Sequence, residues 1–248
     1  DLLSEINYIK GQIESEGNYK NDKKDGSWTY WNKQGQIESE GKYKEDKFVG
    51  NWTFWNEKGE IELEGNYKDD KFNGFWIHWN TNGHIEKEGN YKDDKRVGSW
   101  TFWDEQGQKN REANYKDGEL LVEFKLKYHE NDQIESISTY IDKKLNGKST
   151  FYYEEGHVES EGNYKDDLKG SNWTFWHQNG QIKSEGNYKN DKLDGNWSFW
   201  HKNGQKFLEA NYKVGKLVDR TVFKYSYFTG NLKSQKKYKD GKCISGDC

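Results

Sequence analysis

Proline and methionine are absent from this chain of 248 residues, cysteine occurs twice, and no apolar run approaches the roughly 18 residues that a membrane-crossing helix needs. The missing methionine implies that the sequence starts downstream of a translation start. No secretory leader is visible, and the native protein is expected to continue upstream of Asp1. Apolar residues make up only 31% of the chain and mean hydropathy is −1.34, which argues against a thick two-layer core. Charge of one sign is missing as well: 39 Lys and Arg are interleaved with 43 Asp and Glu for a net charge of −4. That is a solvated surface, and it lacks the basic footprint of a nucleic-acid binder. The two cysteines, Cys243 and Cys248, form a C-x4-C tail. They suit either a small disulfide loop in an exported protein or two reduced surface thiols, and a zinc site would need about four ligands that are not at hand.

What the chain has in quantity is aromatic residues, 17% of the total, at regular spacing. All twelve tryptophans fall in six W-x-x-W pairs: Trp28/Trp31, Trp52/Trp55, Trp76/Trp79, Trp100/Trp103, Trp173/Trp176 and Trp197/Trp200. Neighbouring pairs keep a 24-residue step, as do most of the ten tyrosines from Tyr19 to Tyr238. Such a period marks a repeat array, and its ordered aromatics are the opposite of a disordered composition.

One unit runs from Gly50 to Asn73. Trp52–Trp55 and Glu60–Tyr67 read as two short strands, joined by a four-residue loop, Asn56-Glu57-Lys58-Gly59. Lys68 to Gly74 reads as a second turn rich in Asx residues. If Trp55 lies opposite Glu60, then Phe54 faces Ile61 and Trp52 faces Leu63. One face then carries Trp52, Phe54, Ile61, Gly65 and Tyr67, and the other Thr53, Trp55, Glu60, Glu62, Glu64 and Asn66. Small residues such as Ser39 are expected opposite the first tryptophan, with Gly41, Gly65 and their copies letting rings lie on bare backbone. The fold expected is all-β: an elongated, single-layer antiparallel meander of about ten tandem hairpin repeats, some twenty strands spanning about 95 Å.

The pattern divides the chain into an N-terminal array at 1–116, degenerate repeats at 117–153 within the same sheet, further repeats at 154–214, and an atypical cap with the cysteine tail at 215–248. In the degenerate part Phe124 and Ser149 stand at the first-tryptophan position. Gly170-Ser171-Asn172 reads as one residue longer than its counterparts, a bulge.

The run Gly-x-Trp-Thr-Phe-Trp-x-x-x-Gly-x-Ile-x-x-Glu-Gly-x-Tyr-Lys-x-x-Lys-x-x-Gly resembles the bacterial variant of the MORN repeat over roughly residues 5–240. The resemblance implies tandem β-hairpins in a single-layer sheet. It also implies an interaction or scaffold role, with some family members serving as antitoxin or immunity proteins and many exported.

No G-x-S-x-G, P-loop or G-x-G-x-x-G motif occurs. His84, His157, His177 and His201 recur at repeat positions about 10 Å apart, too far to share a metal. The paired glutamates sit on a flat solvated face without the unequal surroundings that catalytic carboxylates need, and the Asp-Asp pairs lack EF-hand spacing. An enzyme, a metal and a cofactor are therefore not expected. Trp31, Trp55, Trp79, Trp103, Trp176 and Trp200 should form a row on the charged face. Packed on Lys and Glu stems, they are structural; exposed, they are a binding ladder. The leading expectation is a binding scaffold, surface-exposed or exported, for a partner protein of unknown identity. Its rivals are a toxin-neutralising immunity protein, a polysaccharide binder using the tryptophan row, and head-to-tail self-association through sheet edges.

Overall fold

The computed structural model describes residues 2–9 and 11–246. Two compact units follow one another, Asp1–Glu123 and Phe124–Cys248, and the division falls inside the segment of degenerate repeats. The first unit holds β1 (Leu2–Ile9), β2 (Gln12–Lys20), β3 (Lys23–Trp31), β4 (Ile37–Lys44), β5 (Lys47–Trp55), β6 (Ile61–Lys68), β7 (Lys71–Trp79), β8 (Ile85–Lys92), β9 (Lys95–Trp103) and β10 (Lys109–Lys116). β11 (Glu119–Tyr128) contains the division. The second unit holds β12 (Ile134–Ile141), β13 (Lys144–Tyr152), β14 (Val158–Lys165), β15 (Leu168–Trp176), β16 (Ile182–Lys189), β17 (Lys192–Trp200), β18 (Lys206–Lys213), β19 (Lys216–Tyr225), β20 (Leu232–Lys239) and β21 (Lys242–Ser245). No helix occurs among the described residues. Each unit by itself is the expected all-β, single-layer meander of hairpin repeats, in which every strand pairs antiparallel with the next.

Two kinds of turn alternate. In the longer one, Asn56 Oδ1 accepts the backbone N–H groups of Lys58 (2.9 Å) and Glu60 (3.1 Å), and Gly59 takes a φ of 79°. This is an Asx-turn closing the four-residue loop. The other is tighter than the sequence suggests. Asp69 and Asp70, at φ 49° and 66°, form a two-residue connection with Lys68 directly opposite Lys71, a type I′ hairpin. Gly74, expected to end that turn, lies well inside β7 at φ 87°.

Its role there is to bend the strand. Between β4 and β5 the pairing jumps from Lys42↔Val49 to Glu40↔Thr53, so β5 carries two residues more than its partner. This bulge contains Gly50 in the left-handed region. Phe48 and Trp52, four residues apart, have ring centroids only 4.3 Å from each other, whereas a straight strand would separate them by about 13 Å. Each bent strand thus folds over its own first tryptophan. That is how a one-layer sheet leaves Trp28, Trp52, Trp76, Trp100, Trp173 and Trp197 no more than 2% exposed.

The register differs from the expectation. Trp52 lies opposite Gly65, Phe54 opposite Leu63 and Trp55 opposite Ile61, because a bulge at the loop end offsets the pairing. The small residue beneath each indole is therefore glycine, with serines such as Ser39 facing Tyr30 and Phe54 instead. A Cβ added at Gly41 would stand 2.1 Å from the Trp52 ring, and one at Gly65 2.2 Å from that of Trp76. The indole N–H then donates to a carbonyl that the bulge leaves free, as from Trp52 to Lys42 at 3.0 Å and from Trp76 to Asn66 at 3.0 Å. Tyrosines close the pocket edge-on, as Tyr43 does at 5.1 Å from Trp52.

Where the next strand lacks a tryptophan, the glycine is replaced: Ala113 precedes β11, Ser138 faces Ser149, and Ala210 faces Arg220. β11 has no left-handed residue after Gly118, so it is not bent. Its inner slot therefore goes to Glu123, 5% exposed, while Phe124, expected there, points outward at 37%. Arg111 meets Glu123 at 3.4 Å and covers the Phe102 ring at 3.7 Å. The supposed extra residue near Gly170 is not one. Asp167 to Trp173 matches Asp191 to Trp197 in length, and Ser171 (φ 57°) takes the left-handed place that glycine holds elsewhere.

Successive repeats are joined by a two-pronged clamp. Asp70 Oδ1 accepts the N–H of Phe48 at 2.8 Å, and the Asp70 N–H donates to the carbonyl of Phe48 at 3.2 Å. Asp46, Asp94, Asp167 and Asp191 repeat this on Lys24, Phe72, Leu145 and Lys169. The acidic turn pairs are thus structural joints. Gly118 and Gly215 keep only the backbone prong.

Candidate interaction surface

Alternation along each strand places Thr53 and Trp55 on the face away from the buried indoles. In the first unit this outer face is built by cross-strand rows. Thr53 stands between Glu40 and Glu64, Ile77 between Glu64 and Glu88, and Thr101 between Glu88 and Glu112. In the second unit Thr174 stands between Glu161 and Glu185, and Ser198 between Glu185 and Glu209. Lys148 neutralises Glu161 and Lys206 neutralises Glu209, each at 2.8 Å, and Lys109 likewise pairs with Glu112 in the first unit, so the acidic row of the first unit is carried by Glu40, Glu64 and Glu88.

The second tryptophans end their strands at one common position. Trp31, Trp55 and Trp79 lie opposite Ile37, Ile61 and Ile85, and Trp103 opposite Lys109. In the other unit Trp176 lies opposite Ile182, and Trp200 opposite Lys206, whose ammonium sits 5.1 Å from its ring. All six are half-buried. They are neither sealed in like the first tryptophans nor free-standing.

Three of the histidines serve the scaffold. His129 Nε2 meets the carbonyl of Tyr152 at 2.9 Å and His177 Nε2 that of Trp200 at 3.0 Å, tying neighbouring loops together. His201 stacks on Phe207 at 4.5 Å. His78 occupies an inner slot where other repeats have Tyr30, Phe54 or Phe102; burial, with Lys87 and Arg96 nearby, pushes its pKa down to about 4. Among the described residues no three His, Cys, Asp or Glu side chains are placed to hold a metal ion. Cys243 is disulfide-bonded, and Cys248 lies outside the described residues.

Sequence reasoning passed over two features of this surface. Phe75 and Ile77 flank Trp76 on the outer face, where other repeats place Ser or Asn and Thr or Ser. The loop Ser226–Asn231 presents Tyr227 and Phe228, 96% and 93% exposed. Both were visible as departures from the repeat.

Strand–turn modules of this kind define a tandem β-hairpin repeat protein. The MORN repeat variant family matches residues 24–45, 48–69, 73–93, 96–117, 145–166, 171–190 and 193–213. The chain belongs to that family, and the unmatched stretch between 117 and 145 contains the unbent β11. A comparison with curated proteins found no match. Among solved structures, the crystal structure of TcdB2-TccC3-Cdc42 aligns with 93% of this chain and 15% of its own, at 10% identity and a TM-score of 0.29. TcdB2-TccC3 without its hypervariable C-terminal region aligns with 96% of this chain and 14% of its own, at 12% identity and a TM-score of 0.27. A mutant Photorhabdus luminescens Tc holotoxin pore aligns with 99% and 14%, at 11% identity and a TM-score of 0.25. The chain thus spans about a seventh of the length of each.

Proposed function

We propose that this chain is a non-enzymatic scaffold that binds another protein along the outer face of its first unit. The observation that carries this is the row of half-buried tryptophans Trp31, Trp55, Trp79 and Trp103, set beside an acidic row at a constant repeat step. Large aromatic rings held rigidly by the backbone bind at small entropic cost, and tryptophan is enriched among residues that dominate interface energy. Trp176 and Trp200 offer the same group in the second unit. The cavities support a binding role over catalysis, since they are shallow dishes of about 330–350 Å³ on an open sheet. The disulfide at Cys243 favours an exported or surface location.

The test is recovery of bound protein from an extract of the source organism by wild type and by Trp31→Ala/Trp55→Ala/Trp103→Ala, with circular dichroism confirming that the variant keeps its sheet. A partner retained by wild type and lost by the variant supports the assignment. Equal recovery by both removes the indole row as the binding element.

A further inference from the structure

Two places break the polar pattern that the other repeats keep at exposed positions, and their chemistries are complementary. The first is on β7. Phe75 is 48% exposed where other repeats carry Ser27, Asn51 or Ser99, and Ile77 replaces Thr29, Thr53 or Thr101. With Asn51, Thr53 and Glu64 they line an open dish of about 330 Å³, and Glu64 and Glu88 flank Ile77 on the two adjacent strands. The second is the tip between β19 and β20. Tyr227 and Phe228 meet edge to face at 5.6 Å and are almost wholly in solvent, whereas the corresponding loops carry Glu57-Lys58, Gln178-Asn179 and Lys202-Asn203. Lys224 and Lys233 border this tip, and residues 224–242 contain six lysines against one aspartate in a chain that is acidic overall.

We propose that the Tyr227/Phe228 tip of one copy docks in the Phe75/Ile77 dish of a second copy, with Lys224 and Lys233 facing Glu64 and Glu88. An aromatic pair exposed beside lysines needs an apolar seat with an acidic rim, and the chain itself supplies one. Burying such rings is favourable, and the opposed charges orient the approach. The contact is heterologous: the two surfaces differ, so each docked pair leaves one tip and one dish free, and association continues into a ring or filament. The inference rests on the outer face being the binding face and adds a second copy of this chain as one of its occupants.

Sedimentation velocity over a wide concentration range tests it. Wild type should rise above the 29.5 kDa monomer with concentration and return to it as salt is added. Tyr227→Ser/Phe228→Ser, lacking the tip, and Phe75→Ser/Glu64→Lys, lacking the dish, should each remain monomeric alone. Mixed, the two variants should form dimers and nothing larger, since one intact tip then meets one intact dish. A monomeric wild type at all concentrations, self-association by either variant alone, or a mixture that stays monomeric overturns the proposal. Wild type that stays monomeric yet co-sediments with phosphatidylserine vesicles through the same two rings overturns it too, and assigns the tip to a bilayer. Loss of a different protein by the tryptophan variant, which keeps Phe75, Ile77 and Trp79, bears only on the proposed function, so the two failures are distinguishable.

Discussion

Gly65→Ala should damage the fold far out of proportion to one methyl group. The new Cβ would stand 2.2 Å from Cδ2 of Trp76. Carbon atoms rest at about 3.5–4.0 Å, so the indole must withdraw by at least about 1.3 Å. It has nowhere to go. Trp76 is 0% exposed, with Phe72 at 4.1 Å and Tyr67 edge-on at 5.0 Å, and its N–H is bonded to Asn66 at 3.0 Å. Overpacking of this kind costs about 1–3 kcal/mol and the strained hydrogen bond about 1 kcal/mol more, giving a loss of about 2–4 kcal/mol. Urea unfolding followed by circular dichroism measures the sum, and hydrogen exchange places the loss on β6 and β7. Localisation matters because repeat arrays need not unfold as one unit. Two comparisons separate contact from composition. Gly170→Ala meets open space at an ordinary φ and should be neutral or stabilising by up to about 1 kcal/mol. In a Trp76→Val background, Gly65→Ala should lose most of its cost. A Gly65→Ala protein within about 0.5 kcal/mol of wild type, with β6 and β7 still protected, would refute the ring-on-backbone account.

Two further outcomes follow from other parts of the repeat. Asp70→Ala removes the carboxylate that holds the Phe48 N–H and should cost about 1–3 kcal/mol; Asp70→Asn, which keeps an acceptor oxygen, should recover part of it, and indistinguishable urea midpoints for all three proteins would dismiss the clamp. His78 has a buried Nε2 without a hydrogen-bond partner and a pKa lowered from 6.5 to about 4 by burial. The stability gained by keeping this ring neutral is present above about pH 6.5 and is lost as pH falls toward 4. His78→Phe should flatten that part of the stability–pH curve and raise stability below pH 6.5, and an unchanged slope in the variant counts against it.

The strands and their order were legible because the tyrosine step of 24 runs through most of the array and continues beyond each departure from it. The pairing within a hairpin was not. Asn56-Glu57-Lys58-Gly59 predicts the loop correctly, but nothing in those residues announces the bulge that sets Trp55 against Ile61 instead of Glu60. The bend was hidden for a related reason. Gly50 and Gly74 read as turn residues, and only their left-handed φ inside β5 and β7 shows that they fold a strand over its own tryptophan. Once that bend is missing, counting by 24 fails, which is why Glu123 and not Phe124 turned inward. Alternation alone sets the second tryptophans on the face away from the buried indoles. Their half-burial depends on neighbouring strands that a single repeat cannot reveal.

At the five seams that an aspartate holds, the joint reaches back 22 residues, so modules there recognise their predecessors by one shared rule. Excising or duplicating one whole module would present the same donors and acceptors at the new seam. Array length is therefore free to drift by unequal exchange between like segments, while a residue gained or lost inside one strand turns the side chains beyond it in that strand to the other face.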